Sequence, residues 1–204
     1  MKSKNPNLKE NGIVATAILF IITVIITTAL ATVNFYAAPI ISANAKKAAD
    51  EARLEVFASA ISFEDVSDVY LKEKVPHIGS VIKTVDADGK LAGLVVESYS
   101  SGYGGEIRIM TGINIKRELI GLVVLSNSET PGLGTKVALH SFTDRFLGKK
   151  PNLIFTFDKA TTDLNQVDAI TASTISSKAV LAAVNASMTF ADEVLTKMEA
   201  GGTK

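Results

Sequence analysis

No charged side chain occurs between Asn11 and Ala45, and within that stretch the run IVATAILFIITVIITTALATVNFY, Ile13 to Tyr36, is almost continuously apolar. As a helix this run extends ~36 Å at ~1.5 Å per residue, enough to cross a hydrocarbon layer of ~30 Å with some tilt. A cleaved signal peptide would have an apolar region of only ~7 to 15 residues followed by a small-residue cleavage site. The run is too long for that, so the sequence predicts a retained, single-pass transmembrane helix over 13–36. By raw count the flanking charges tie, Lys2, Lys4 and Lys9 against Lys46, Lys47 and Arg53. Lys9 lies close to the span, whereas the first downstream lysine is ten residues beyond Tyr36 and is followed by Asp50, Glu51 and Glu55. Basic residues near a span mark the cytoplasmic side. The expectation is a cytoplasmic N-terminus over 1–12 and an extracytoplasmic remainder, anchored in the cell membrane.

Of the 21 Lys+Arg and 21 Asp+Glu, only Lys2, Lys4, Lys9 and Glu10 precede residue 46, which leaves 18 basic against 20 acidic side chains beyond the anchor. Such a balance argues against nucleic acid as a partner. The chain has no cysteine, which excludes disulfides, thiolate-bound zinc and an ordinary cysteine-ligated iron–sulfur cluster within it. Its two histidines, His77 and His140, are far apart in sequence, so no histidine-rich metal site is expected. The 204 residues, 47% of them hydrophobic, suffice for one globular domain with appendages.

After the anchor, ISANAKKAADEARLEVFASA has helix-forming composition and predicts a stalk over 37–61, leaving 62–200 for the folded domain. SVIKTVDADGKLAGLVVESY reads as two strands around an Asp88-Gly89 turn, and GEIRIMTGINIKRELIGLVVLS as two more around a turn at Asn114 to Arg117. Ile107, Ile109 and Ile113 alternate with mostly polar neighbours, which predicts one wet face for that strand, whereas Leu119 to Leu125 is apolar on both faces and reads as a central strand. VALHSFTDRFLG reads as a short helix and NLIFTF as a further strand. Leu181, Val184, Met188, Ala191, Leu195 and Met198 recur at spacings of three and four, the mark of a final helix with one buried face. The tail AGGTK is expected to fray. Strand runs flanked by helices give an α+β fold on a mainly antiparallel sheet.

Three stretches interrupt these elements. In SYSSGYGGEI, Gly102, Gly104 and Gly105 surround Tyr103; a hairpin loop accounts for them, and so does close backbone approach to a flat ligand. In NSETPGLGTK, Pro131-Gly132 fits the centre of a type II turn, but a turn does not require Glu129 and Thr130 before it, nor Leu133, Gly134, Thr135 and Lys136 after it. In DAITASTISSKAV, Asp168 precedes Thr171, Ser173, Thr174, Ser176 and Ser177, five hydroxyls in seven positions at the start of the last helix. One hydroxyl as a helix cap would be ordinary; the cluster also suits an anion such as a phosphate on the first-turn N–H groups.

In combination and in this order behind one anchor, GYGGEIRIMTGIN, IGLVVLSNSETPGLGT and DAITASTISS resemble the FMN-binding G-subunit of the Rnf electron-transport complex, a relative of the C-subunit of the sodium-translocating NADH:quinone reductase. The resemblance implies an electron-carrying flavoprotein, not catalytic alone, in a membrane complex that couples ferredoxin:NAD electron transfer to Na⁺ or H⁺ translocation. It implies FMN attached through its phosphate to the last hydroxyl of an Asp-x-x-Ser/Thr-Gly-Ala-Ser/Thr motif, which here falls on Thr174, with Asp168 and Thr171 at the earlier motif positions. Implied partners are the membrane and iron–sulfur subunits of the complex, membrane lipid, and a flavin-attaching transferase during maturation. Ala172 stands where that family usually has Gly and Ser173 where it usually has Ala; a positive φ at Ala172 would strain the backbone by roughly 1 kcal/mol or more. The flavin ring is expected over Gly102 to Gly105 and the Glu129 to Lys136 loop, with the stalk dispensable for binding it. The alternatives are the quinone reductase C-subunit itself or a membrane-anchored, flavin-binding sensor.

Overall fold

A single helix, α1 (Leu8–Val56), contains the entire apolar run. The computed structural model describes residues 8–73, 75–150, 153–160 and 164–201, and the chain divides into two units, Met1–Lys47 and Ala48–Lys204. In the first unit the most apolar window has none of its residues buried within the chain, so the helix is long and apolar enough to cross a membrane. Thr16, Thr23, Thr28 and Thr32 each donate the hydroxyl to the carbonyl four residues back, at 2.8 or 2.9 Å. That satisfies these four hydroxyls without water. Of the predicted cytoplasmic segment, residues 1–7 lie outside the described residues.

The second unit is built on a five-stranded antiparallel sheet in sequential order: β1 (Ser62–Asp65), β2 (Ile78–Val85), β3 (Leu91–Ser101), β4 (Glu106–Asn114) and β5 (Leu119–Ser126), with a four-residue helix, α2 (Ser67–Tyr70), between β1 and β2. Both predicted hairpins form. Asp86 Oδ1 accepts from the N–H groups of Asp88 and Lys90 across the first turn, and Asn114 Oδ1 accepts from Lys116 and Glu118 across the second. Such side-chain acceptors are what make Asp and Asn turn formers. The last helix, α4 (Thr174–Gly201), begins within the hydroxyl cluster. It lays Val180, Ala183, Val184, Ala191 and Leu195 against Leu94, Val96, Ile107, Ile109 and Ile113 on one face of the sheet.

The opposite face is where the structure departs from expectation. The C-terminal end of α1, with Ala52 and Val56, and Phe57 just after it, packs on Ile82, Val95 and Met110. Gly112 and Gly121 sit opposite each other on β4 and β5, and a Cβ on either would run into the backbone of Val56. The predicted wet face of β4 is therefore dry at Met110 and Gly112, because the helix read as a stalk ends on it. β5 is an edge strand, not a central one. Its two apolar faces are explained by two covers: Leu119 and Leu122 join the core under α4, while Val123 and Leu125 pack toward Val56 and its neighbours.

The segment predicted as one short helix is broken into a 3₁₀ turn at Gly134–Ala138, a four-residue helix α3 (His140–Thr143) and a second 3₁₀ turn at Asp144–Phe146. Leu139, extended at φ −81° and ψ 141°, separates the first two. The breaks let Val137, Phe142 and Phe146 all reach the core, with Phe146 5.4 Å from Phe142 and 5.3 Å from Phe155 between ring centres. Of NLIFTF, Asn152 lies outside the described residues and the remainder yields a two-residue strand, β6 (Phe155–Thr156), paired in parallel with β7 (Asn165–Gln166). Phe155 turns instead to α4: its N–H donates to Asn185 Oδ1 at 2.7 Å and its carbonyl accepts from Asn185 Nδ2 at 2.9 Å. Of the tail expected to fray, Ala200 and Gly201 belong to α4, and residues 202–204 lie outside the described residues.

Candidate functional site

The first turn of α4 is organised by serines. The Ser173 carbonyl accepts the first intrahelical bond from Ser177 N–H at 2.9 Å, and Ser173 N–H donates to the Ile170 carbonyl at 3.0 Å. The N–H groups of Thr174, Ile175 and Ser176 are left with no carbonyl partner among the described residues, as the geometry of a helix start requires. Ser177, one of the five hydroxyls of the cluster, is spent internally: its buried hydroxyl donates to the Ser173 carbonyl at 2.8 Å and accepts from Ile170 N–H at 3.1 Å. Ser176 is engaged as well, donating to Glu129 Oε2 at 2.6 Å. The buried Ser173 hydroxyl has no partner among the described residues, and Thr174 is exposed. Ala172, at φ 62°, occupies the left-handed region, so the conditional strain expected at that position is present.

Around Pro131-Gly132 the chain makes the predicted turn, with Leu133 N–H donating to the Thr130 carbonyl at 3.2 Å and Gly132 at φ 75°. Thr135 Oγ1 accepts from Gly132 N–H at 3.0 Å. Ahead of the turn, Glu129 is only 5% exposed. Besides Ser176 it accepts from Gly104 N–H, at 3.0 Å through Oε1. One carboxylate thus joins the loop after β3, the loop after β5 and the start of α4.

These three segments enclose a cleft of about 510 Å³, lined by Tyr103, by Glu129, Thr130, Leu133 and Gly134, and by residues 172–176. Three large apolar side chains lie open around it: Tyr103 is 72% exposed, Leu133 46% and Ile175 54%. Ile175 was not anticipated from sequence; an apolar residue within the first, normally solvated turn of α4 is the signal that marks it. Gly102 and Gly104 touch Glu129 without lining the cleft. Gly105, Pro131, Gly132, Thr135 and Lys136 shape the loops without lining it either.

Asp168 and Thr171 are also outside the cleft lining. Asp168 lies in a separate depression with Arg145, Lys149 and Lys159. Lys159 Nζ is 2.8 Å from its carboxylate. The hydrogen bond from Lys159, then its charge, hold the carboxyl below the usual carboxylate range, and Arg145 and Lys149 add to this. Its backbone carbonyl accepts from Arg145 Nη1 at 2.8 Å. Among the described residues no cluster of His, Cys, Asp or Glu is arranged to hold a metal ion.

The sequence model of the FMN-binding domain family matches residues 102–189, a range that takes in all three cleft segments. The G-subunit of the Na⁺-translocating ferredoxin:NAD⁺ oxidoreductase complex of Acetobacterium woodii is 34% identical over 181 residues, covering 84% of this chain and 87% of that one. The chain belongs to the G-subunit family of ion-translocating oxidoreductase complexes. Another G-subunit, from Methanosarcina acetivorans, is 33% identical over 141 residues, covering 69% of this chain and 73% of its own length. Among solved structures, NqrC of Shewanella oneidensis aligns with 72% of this chain and 92% of its own, at a TM-score of 0.48 and 20% identity.

The cleft of this G-subunit fits FMN on its own chemistry. Its volume lies in the range of small-ligand sites, ~300 to 1,000 Å³. The helix start offers three N–H groups, a partial positive charge and an unpartnered buried hydroxyl for a phosphate, and the exposed Tyr103, Leu133 and Ile175 offer apolar surface for a flat ring.

Proposed function

We propose that this G-subunit carries electrons through FMN within a membrane complex coupling ferredoxin:NAD⁺ electron transfer to ion translocation, and that the FMN is joined through its phosphate to Thr174. The observation that carries the second part is the setting of Thr174: it is the first residue of α4, exposed, and lines the cleft beside the unpaired N–H groups of the first turn. A phosphodiester on its hydroxyl keeps one negative charge, which the helix start stabilises. Ser173 completes that end as a further donor, and Tyr103, Leu133 and Ile175 hold the ring system and keep water from part of its surface. When bound, FMN supplies the redox chemistry, and the chain supplies attachment, orientation and tuning. On this reading the apolar helix crosses the cell membrane once, the FMN domain is extracytoplasmic, and the other membrane and iron–sulfur subunits are the neighbours. Asp168, exposed and the first residue of the motif, serves the flavin-attaching transferase and not the bound flavin.

The test is intact-mass measurement on full-length protein produced together with a flavin-attaching transferase. Wild type gains the mass of one FMN less one water. Thr174→Val, which keeps the shape and removes only the hydroxyl, gains nothing and remains folded; Thr174→Ser is still modified. An unchanged mass gain in Thr174→Val places the linkage on another hydroxyl.

A further inference from the structure

The glycines of the site remain unexplained by flavin binding, since Gly102 and Gly104 do not line the cleft. Their surroundings account for them. A Cβ on Gly102 would strike Glu129 Oε1, and one on Gly134 would strike Glu129 Oε2, with Ser176 Oγ at 2.8 Å. Gly104 leaves no room either, because a Cβ there would strike the Ser128 carbonyl. Gly102 and Gly134 thus leave the room that one buried carboxylate occupies.

We propose that Glu129 is the positioning residue of this site, holding the cleft in its assembled form before any flavin arrives. Oε1 fixes the loop after β3 through Gly104 N–H at 3.0 Å, and Oε2 fixes the first turn of α4 through the Ser176 hydroxyl at 2.6 Å. Each oxygen accepts one of these bonds and the side chain is buried, so Glu129 shapes the cleft through Gly104 and Ser176. Gly104 and Ser176 are 25 and 47 residues from Glu129 in sequence. Among the described residues no other side-chain hydrogen bond links the loop after β3 to the start of α4. A carboxylate near a helix N-terminus is also favoured by the helix dipole. Holding Ser176 sets the first turn of α4 and therefore the direction in which Thr174, two residues earlier, is presented. That last consequence rests on Thr174 being the attachment point.

Hydrogen exchange on the full-length, flavin-free protein in detergent tests the latch without involving Thr174. Glu129→Ala removes both bonds, Ser176→Ala removes one, and Glu129→Gln can keep both while removing the charge. The expected result is exchange faster by roughly tenfold or more at Gly104 and at residues 177–180, the first bonded N–H groups of α4, in Glu129→Ala, with the β2–β3 pairing unchanged. Ser176→Ala should open the helix start but not Gly104, and Glu129→Gln should stay within about threefold of wild type at both. The rate of FMN attachment should follow the same order, with Glu129→Gln rescuing what Glu129→Ala loses. Wild-type exchange in Glu129→Ala overturns the proposal, as does equal loss of attachment in the Ala and Gln variants, which would assign the role to charge. Should Glu129→Ala fail to fold, Ser176→Ala against Glu129→Gln decides in the same way: selective opening of the helix start in the first alone supports the latch, and identical behaviour of the two overturns it. Normal exchange in Thr174→Val with retained covalent flavin bears on the attachment point alone.

Discussion

Helix α4 is tied to the sheet at both ends, and the two ties are made of different materials. At its N-terminus the tie is the buried Glu129–Ser176 hydrogen bond beside the cleft. Toward its C-terminus it is Arg117, from the β4–β5 turn, reaching Asp192 at 3.1 Å and Glu199 at 2.8 Å. The guanidinium is shielded but both carboxylates are about half exposed. A buried bond away from water has one workable geometry and is costly to leave unmade, whereas an exposed ion pair is loose, screened and worth little. The end where atoms must be placed accurately has the buried tie. The end that only needs to stay attached has the exposed one.

The largest effect that would sharpen this contrast is expected from Gly134→Val. Its Cβ enters the space of Glu129 and Ser176, so the variant should lose about 2–3 kcal/mol in urea unfolding and most of its covalent flavin by mass. Retention of both would mean that the N-terminal tie tolerates displacement and differs little from the other. Ala172→Gly should act in the opposite direction. Relief of the left-handed strain, less the entropy that glycine adds to the unfolded chain, gives a gain of about 0.5 kcal/mol, with attachment unchanged.

At the other end, Arg117→Met should lower the urea midpoint slightly, leave flavin attachment untouched, and differ less from wild type at ~1 M salt than at ~0.05 M. A defect in attachment would break the distinction between the ends. The smallest effect is a pH dependence. Hydrogen bonding to Arg117, and secondarily its charge, hold Glu199 below the usual range of a glutamate, and Arg117 is correspondingly raised. A depressed acid contributes its stability above its unfolded pKa, ~4.3, and loses it as pH falls through the lower folded value. Wild type should therefore shed a small increment of stability below about pH 4 that Arg117→Met has already lost, measured as the difference between their unfolding midpoints across that window.

The sequence by itself determined what depends on neighbouring residues. An uninterrupted apolar run makes a helix of membrane length whatever surrounds it, and Asp86 to Gly89 and Asn114 to Arg117 contain the side chains that close their own turns. The start of α4 within the hydroxyl cluster, the turn at Gly132 and the consequence of a non-glycine at residue 172 were legible for the same reason, as was the grouping of three unusual stretches. The tertiary structure decided everything that depends on which element covers which. Whether Met110 and Gly112 face water depended on where the end of α1 comes to rest, and the same covering made β5 an apolar edge strand that reads as a central one. Hydroxyls in a cluster look equivalent in sequence, yet among the described residues Ser176 and Ser177 have partners while the Ser173 and Thr174 hydroxyls have none, because the partners come from Glu129, 47 residues away, and from the turn the chain makes at Ile170. Asp168 was drawn off in the same way by Lys159. Local pattern sets conformation over a few residues, whereas the availability of a polar atom is fixed only when distant segments meet it.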